Sequence, residues 1–232
     1  MQTLSLAIPT YNRHQMVLAC VADSLADDRI DEIILCDDAS ADGSYERLQV
    51  WAADFPKVKI FRNEQNLDCY ANKAQVLRHA KNDWAILFDS DNILGRDYID
   101  RIYSIPVWDE DSSYLPVFAQ PHFDYREFQS HFIDRTNVAS YMGNGTFRTA
   151  LNTANFFVHR ETYLGVWNPN VNPHTADSIY MNFRLLAAGK KLVFVPGLHY
   201  QHRVHEQSHY KNNCHKTGRF AQEVETKLRA LK

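Results

Sequence analysis

Through the first hundred residues, short and nearly continuous apolar runs alternate with polar loops and with stretches of helical periodicity. Leu4 to Ile8 is apolar and stops at Pro9-Thr10-Tyr11-Asn12, after which apolar residues return at helical spacing from His14 to Leu25. The same unit recurs three times. Glu32 to Cys36 leads through Asp37 to Gly43 into a helical pattern over Ser44 to Phe55, and Val58 to Phe61 leads through an Asn-rich loop into a helix over Cys69 to Ala80. Trp84 to Phe88 leads through Asp89-Ser90-Asp91-Asn92 into a helix near Asp97 to Ser104. Strands apolar on both faces, alternating with helices, predict a parallel sheet covered on both sides. Their four polar loops fall at the carboxyl ends of the strands and so share one rim, where open sheets of this kind bind ligands.

Beyond Pro106 the pattern weakens. Tyr114 to Ala119, Asn155 to His159 and Leu192 to Val195 read as strands, Ala176 to Ala188 as a helix ended by Gly189, and Arg219 to Leu231 as a terminal helix. Between Gln120 and Ala150 the chain is polar, aromatic and poorly periodic, as a substrate-facing region would be. Gly143-Asn144-Gly145 within it fits a plain turn or the hinge of a mobile loop. No repeat or linker divides the chain, so the expectation is a single α/β domain over residues 1–232.

Composition narrows the function. With 232 residues, 45% hydrophobic and 23% charged, the chain is that of a folded globular protein. Its 25 Lys and Arg against 28 Asp and Glu leave a formal charge of −3, with no basic excess to neutralise a phosphate backbone, so nucleic acid is excluded as the main partner. Cys20, Cys36, Cys69 and Cys214 lack CxxC spacing, which suits a reducing compartment. The opening stretch has no basic start and is interrupted by Pro9, so it reads as a strand and not a leader. Nowhere do about 18 apolar residues run together, so no membrane span is expected and the cytoplasm is the expected location. Lys216, Arg219, Lys227, Arg229 and Lys232 on the terminal helix would serve peripheral membrane contact or simply a solvated face.

Neither GxGxxG nor GxxxxGK[ST] occurs, so a diphosphate would need another holder. A carboxylate pair with a hard divalent cation is the alternative, because such a cation takes carboxylate and phosphate oxygens together. Asp89-Ser90-Asp91 supplies the pair directly after an apolar strand. Asp109-Glu110-Asp111 has the same spacing in a polar stretch without a strand and reads as a solvated turn. His199, His202, His205 and His209 resemble a zinc cluster, but without cysteine partners or helical support.

Four segments together resemble family 2 of the glycosyltransferases, with the GT-A fold. Ile8-Pro9-Thr10-Tyr11-Asn12-Arg13 is similar to the family's opening strand and loop, and Asp37-Asp38-Ala39-Ser40-Ala41-Asp42-Gly43-Ser44 to its DDxSxDGS loop. Asp89-Ser90-Asp91-Asn92 is similar to its DxD loop, and His202-Arg203-Val204-His205-Glu206-Gln207-Ser208 to its YRxHxxS segment, with His202 in place of Tyr. The resemblance implies a nucleotide-sugar half over residues 1–105 and an acceptor half with the terminal helix over 106–232. Pro9, Thr10, Tyr11 and Arg13 would line the nucleotide site, and Asp38 would accept the uracil imide proton. Asp37 and Asp38 also read as a turn and helix cap.

Lys73 stands where the family usually has Arg and would contact the diphosphate, although a surface lysine fits as well. Asp68 stands where the family usually has Gly. Asp91, with Asp89, Ser90 and His205 around it, would hold Mn²⁺ or Mg²⁺, and Arg203 would offer a planar fork to phosphate oxygens. The family's catalytic Asp follows Glu at a helix start. Here Ala176-Asp177-Ser178 makes Asp177 the candidate base, or else Asp177 takes the Glu position and Ser178 the Asp position. A helix N-cap is the plain alternative for Asp177. With one base and no carboxylate nucleophile, direct displacement with inversion is implied.

The expected partners are a nucleotide-sugar donor, UDP-sugar foremost, and a glycan or lipid-linked saccharide acceptor, with the aromatic stretch His122 to Phe132 and Trp167 as an acceptor wall. A sugar-phosphate nucleotidyltransferase would need a Gly-rich first loop, and a DxD phosphatase would place that motif after its first strand. A nucleotide- or carbohydrate-binding module without catalysis is the third alternative.

Overall fold

The computed structural model describes residues 2–206 and 218–232. Strand β1 (Leu4–Thr10) is buried at every position, because strands flank both its edges and helices cover both faces. It is followed by α1 (His14–Val21), β2 (Ile30–Asp37), α2 (Ser44–Ala52), β3 (Val58–Arg62), α3 (Asp68–His79), β4 (Trp84–Leu87) and α4 (Arg96–Tyr103), the four units legible in the apolar pattern. Gly43 opens α2 at φ 80, a left-handed conformation that glycine adopts without strain.

The second half is built from shorter pieces. They are β5 (Ser112–Leu115), β6 (Phe118–Gln120), β7 (Phe123–Asp124), β8 (Phe132–Ile133), α5 (Val138–Tyr141), α6 (Gly145–Leu151), β9 (Phe156–His159), α7 (Arg160–Val166), α8 (Asp177–Ala187), β10 (Lys191–Phe194), β11 (His199–Gln201) and α9 (Gly218–Arg229).

One eight-stranded sheet, in the order β3-β2-β1-β4-β9-β5-β10-β8, runs through both halves, and β11, β6 and β7 form a small second sheet. The first four strands pair in parallel, as does β5 with β10, whereas β9 enters antiparallel between β4 and β5 and β8 pairs antiparallel with β10. The architecture is therefore a mostly parallel α/β sheet flanked by helices. The stretch Tyr114 to Ala119, expected as one strand, is split between the two sheets. Pro116 lies at the break and has no N–H to continue a ladder.

Hydrophobic layers cover both faces of the large sheet. Tyr125 and Phe128 belong to this core, so much of the stretch expected as an acceptor wall is packing, while Phe123 and Phe132 are exposed. Trp167 lies apart, against the Tyr70 ring and under the Arg78 guanidinium. Asn144 caps α6 by accepting the Phe147 N–H at 3.1 Å, so Gly143-Asn144-Gly145 leads into a helix start. Among the described residues no helix is long and apolar enough to cross a membrane. Helix α9 packs on α5 and α8, with Val224 and Leu228 buried.

Candidate functional site

At the carboxyl ends of β1, β2 and β4 the loops enclose a cleft of about 720 Å³. Pro9, Thr10, Tyr11, Arg13, Asp38, Lys73, Asp89 and Ser90 line it, together with Asn12, Asp42, Asn66, Asp68, Cys69, Asn72 and Glu206, which the sequence reading did not assign. Asp91, Asp177, Arg203 and His205 are not in its wall, but each touches a residue of the wall or its loop. Thr10 Oγ1 and Ser90 Oγ, of two residues that line the cleft, are buried and have no hydrogen-bond partner among the described residues.

The Asp38 end of the cleft is stiffened by loop-to-loop bonds. The Asp38 N–H donates to Thr10 O at 2.9 Å, the Asn12 N–H to Ser40 Oγ at 2.8 Å, and the Ala41 N–H to Asn12 Oδ1 at 3.0 Å. Asp37 Oδ2 accepts the Ser40 N–H at 2.9 Å, which is the turn-forming role expected of it. Asp38 Oδ1 accepts from Asn63 Nδ2 at 2.7 Å and from the Leu67 N–H at 2.9 Å. Burial nevertheless pushes the Asp38 carboxyl above the usual range. Asn63 also donates to Asn72, which in turn donates to Cys36 O. These asparagines act at distances along the chain that leave no local motif.

Asp91 sits between Arg13 and His205. Its Oδ2 lies 3.0 Å from Arg13 Nη1 and 3.1 Å from His205 Nε2. Burial alone would raise its carboxyl, but the His205 hydrogen bond and the Arg13 charge outweigh this and hold it low. Arg203 was expected to present a fork to phosphate. Instead its Nη2 donates to the carbonyls of Met16 (3.0 Å), Ser90 (3.2 Å) and Asn92 (3.1 Å), and its Nε to the Asp91 carbonyl. The guanidinium is a clamp on the acidic loop, because three of the four carbonyls it gathers belong to that loop.

Asp89, two residues away, faces Lys73. Lys73 Nζ lies 3.2 Å from Asp89 Oδ1 and 2.7 Å from Asp177 Oδ2, bridging the start of α8 to the acidic loop. Burial would lower the Lys73 ammonium, yet Asp177 and Asp89 raise it well above the ordinary lysine value, so it stays charged. Burial likewise raises the Asp89 carboxyl, opposed by Lys73 and reinforced by Asp91. Asp177 occupies the first turn of α8 behind Ala176, its carboxylate turned to Lys73 and not to the helix amides. Ser178, the alternative, is buried.

The four clustered histidines of the sequence separate in space. His199 bonds to Gly197 O, His202 to His122 and His205 to Asp91, and His209 lies outside the described residues. Among the described residues no three His, Cys, Asp or Glu side chains gather as a closed metal cage. Asp91 Oδ2 and His205 Nε2 are nonetheless 3.1 Å apart, close to the roughly 3 Å between neighbouring donors on an octahedral ion with about 2.1 Å bonds. The spacing of these two groups fits neighbouring donors of an open divalent site.

An uncharacterized glycosyltransferase of Bacillus subtilis, YfnE, is 32% identical over 98 residues, 41% of this chain, and the match spans 24% of that relative's length. The structure of the mannosyltransferase PcManGT from Pyrobaculum calidifontis, in complex with GDP-Man and Mn²⁺, is 16% identical with a TM-score of 0.64. It covers 92% of this chain and 60% of its own. The structure of GalNAc-T7 with UDP, GalNAc and Mn²⁺ is 16% identical with a TM-score of 0.67, covering 88% of this chain and 44% of its own. The family model described as Glycosyl transferase family 2 matches residues 5–162, from β1 through the acidic loop into α7, and the chain belongs to that family.

Proposed function

We propose that this glycosyltransferase moves a sugar, with inversion, from a nucleoside diphosphate sugar to a hydroxyl of a glycan or lipid-linked saccharide, and that the donor is a UDP-sugar. The observation that carries this reading is one polar cleft joining Asp38 at one end to the Asp89-Ser90-Asp91 loop at the other. The bound GDP-Man, UDP and Mn²⁺ in the two similar structures support it.

Asp38 accepts the imide N–H of the base, while the Tyr11 ring, 44% exposed, offers a face for it to lie on. Asp91 and His205 hold Mn²⁺ or Mg²⁺, which when bound neutralises charge on the leaving diphosphate. Arg13 and Lys73 add positive charge along the same cleft, Lys73 with its ammonium fixed by two carboxylates. Asp177 takes the proton of the attacking hydroxyl. A carboxylate is a weak base, so it acts late, once a cation-like sugar centre has acidified the hydroxyl. With no second carboxylate nucleophile assigned, a single displacement inverts the anomeric centre.

The test is release of UDP from UDP-sugars with Mn²⁺, with the product linkage read by proton NMR. Asp177→Asn is expected to lower turnover by at least about a hundredfold with UDP binding retained. Turnover that survives in this variant would move the base elsewhere, and a retained anomeric configuration would end the inversion proposal. UDP binding by the wild type without turnover on any sugar would leave a binding module.

A further inference from the structure

The acidic loop is anchored from two sides, and only one anchor lies near it in the established motifs. Arg203 gathers its carbonyls, those of Ser90, Asp91 and Asn92. Its leading N–H has a different partner. The ladder from β4 to β1 ends with the Phe88 N–H donating to Ala7 O at 2.9 Å, so the Asp89 N–H falls beyond the sheet. Asn155 Oδ1 accepts it at 2.7 Å, from the residue just before β9 and 66 positions along the chain.

Asn155 is held for this task. It is 1% exposed and left-handed at φ 78, a conformation that asparagine tolerates better than most residues but that needs support from its surroundings. Its own carbonyl accepts the hydroxyl of Tyr98 at 2.7 Å, and Tyr98 is fully buried, edge-on to the Phe88 ring at 5.7 Å. The buried Tyr200 hydroxyl faces the same carboxamide. Helix α4, the end of β4 and the start of β9 therefore meet at one residue, whose backbone carbonyl takes Tyr98 and whose side-chain oxygen takes the first amide of the acidic loop.

We propose that Asn155 is a positioning residue of the donor site: by holding the Asp89 amide it directs Asp89 toward Lys73 and Asp91 toward His205 and Arg13. The inference rests on the reading of this loop as the holder of a divalent cation and diphosphate. Groups that orient metal ligands from behind typically change metal affinity by about 10- to 100-fold when removed.

Calorimetric titration with UDP, in Mn²⁺ and in EDTA, tests it on Asn155→Gly, which keeps the left-handed backbone accessible and deletes the carboxamide, the acceptor of the Asp89 amide with it. The expected result is a loss of at least about tenfold in the Mn²⁺-dependent gain in UDP affinity, with EDTA affinity within about twofold of wild type and an unchanged circular dichroism spectrum. Tyr98→Phe, which removes the bond to the Asn155 carbonyl, is expected to lose about threefold in the same direction.

A folded Asn155→Gly protein with the full Mn²⁺ gain, or one weakened equally in Mn²⁺ and EDTA, overturns the proposal. Should Asn155→Gly fail to fold, Tyr98→Phe decides by the same criterion. A wild type without any Mn²⁺-dependent gain refutes the functional reading itself, and the inference with it.

Discussion

Asp89 and Asp91 share one loop and nearly one address, yet their surroundings differ in kind. Asp91 is ringed by groups from distant parts of the chain, Arg13 after β1 and His205 after β11, and its carboxyl is held low. Asp89 shares a buried ammonium with Asp177 and has its carboxyl raised by burial. The contrast shows that a two-carboxylate motif is not two copies of one ligand. One carboxylate is held between Arg13 and His205, while the other keeps a buried lysine charged.

Removing the shared ammonium should break the Asp89 side hardest. Lys73→Met leaves two buried or half-buried carboxylates facing each other, and urea denaturation is expected to show a loss of about 4 kcal/mol. A double variant with Asp177→Leu should recover much of it; no recovery would mean that Lys73 stabilises the fold through something other than this bridge.

The Asp91 side is next. Asp91→Ala should weaken Mn²⁺-assisted UDP binding by at least about a hundredfold in calorimetry, and unaltered binding would place the cation elsewhere. Arg203→Gln separates the loop from its clamp. It should cost about 2 kcal/mol in thermal or urea unfolding, since several charge-assisted bonds to carbonyls are lost. A much larger effect on diphosphate affinity than on stability would instead return Arg203 to the role of phosphate ligand.

The smallest effect sharpens the difference in protonation. Because the folded Asp91 carboxyl is held below its ordinary value, its ion pairs stabilise the protein above about pH 4 and lose that effect as pH falls further, through the lowered value. Asp91→Asn measured without metal should therefore be about 1 kcal/mol less stable than wild type at pH 7, with the gap closing toward pH 3. A gap that widens on acidification would contradict the low assignment.

The same division between near and far governs what could be read in advance. Strands β1, β2 and β4 are buried on both faces, so each appears as an apolar run, whereas β3 at the sheet edge is only partly buried, and the strand ends and loops carry Thr10, Asp38, Asp89 and Asp91 as recognisable local patterns. In the second half the strands are two to four residues long, too short for a period to show. The antiparallel insertion of β9 and the split at Pro116 were accordingly invisible. Arg203 was found by its motif, but only the fold shows four carbonyls converging on it. Asn155, Asn63 and Asn72 left no spacing to find.

The sequence by itself determined the sheet-and-helix alternation, the rim on which the polar loops gather and the identity of the acidic pair, because these depend on residues within a few positions of one another. Tertiary structure alone decided which cation each carboxylate meets, that Lys73 reaches Asp177 across 104 positions and that Asn155 takes the Asp89 amide. Hydrogen bonds and ion pairs act over about 3 Å in space whatever the separation along the chain, so only the folded sheet, by bringing its two halves together, specifies them.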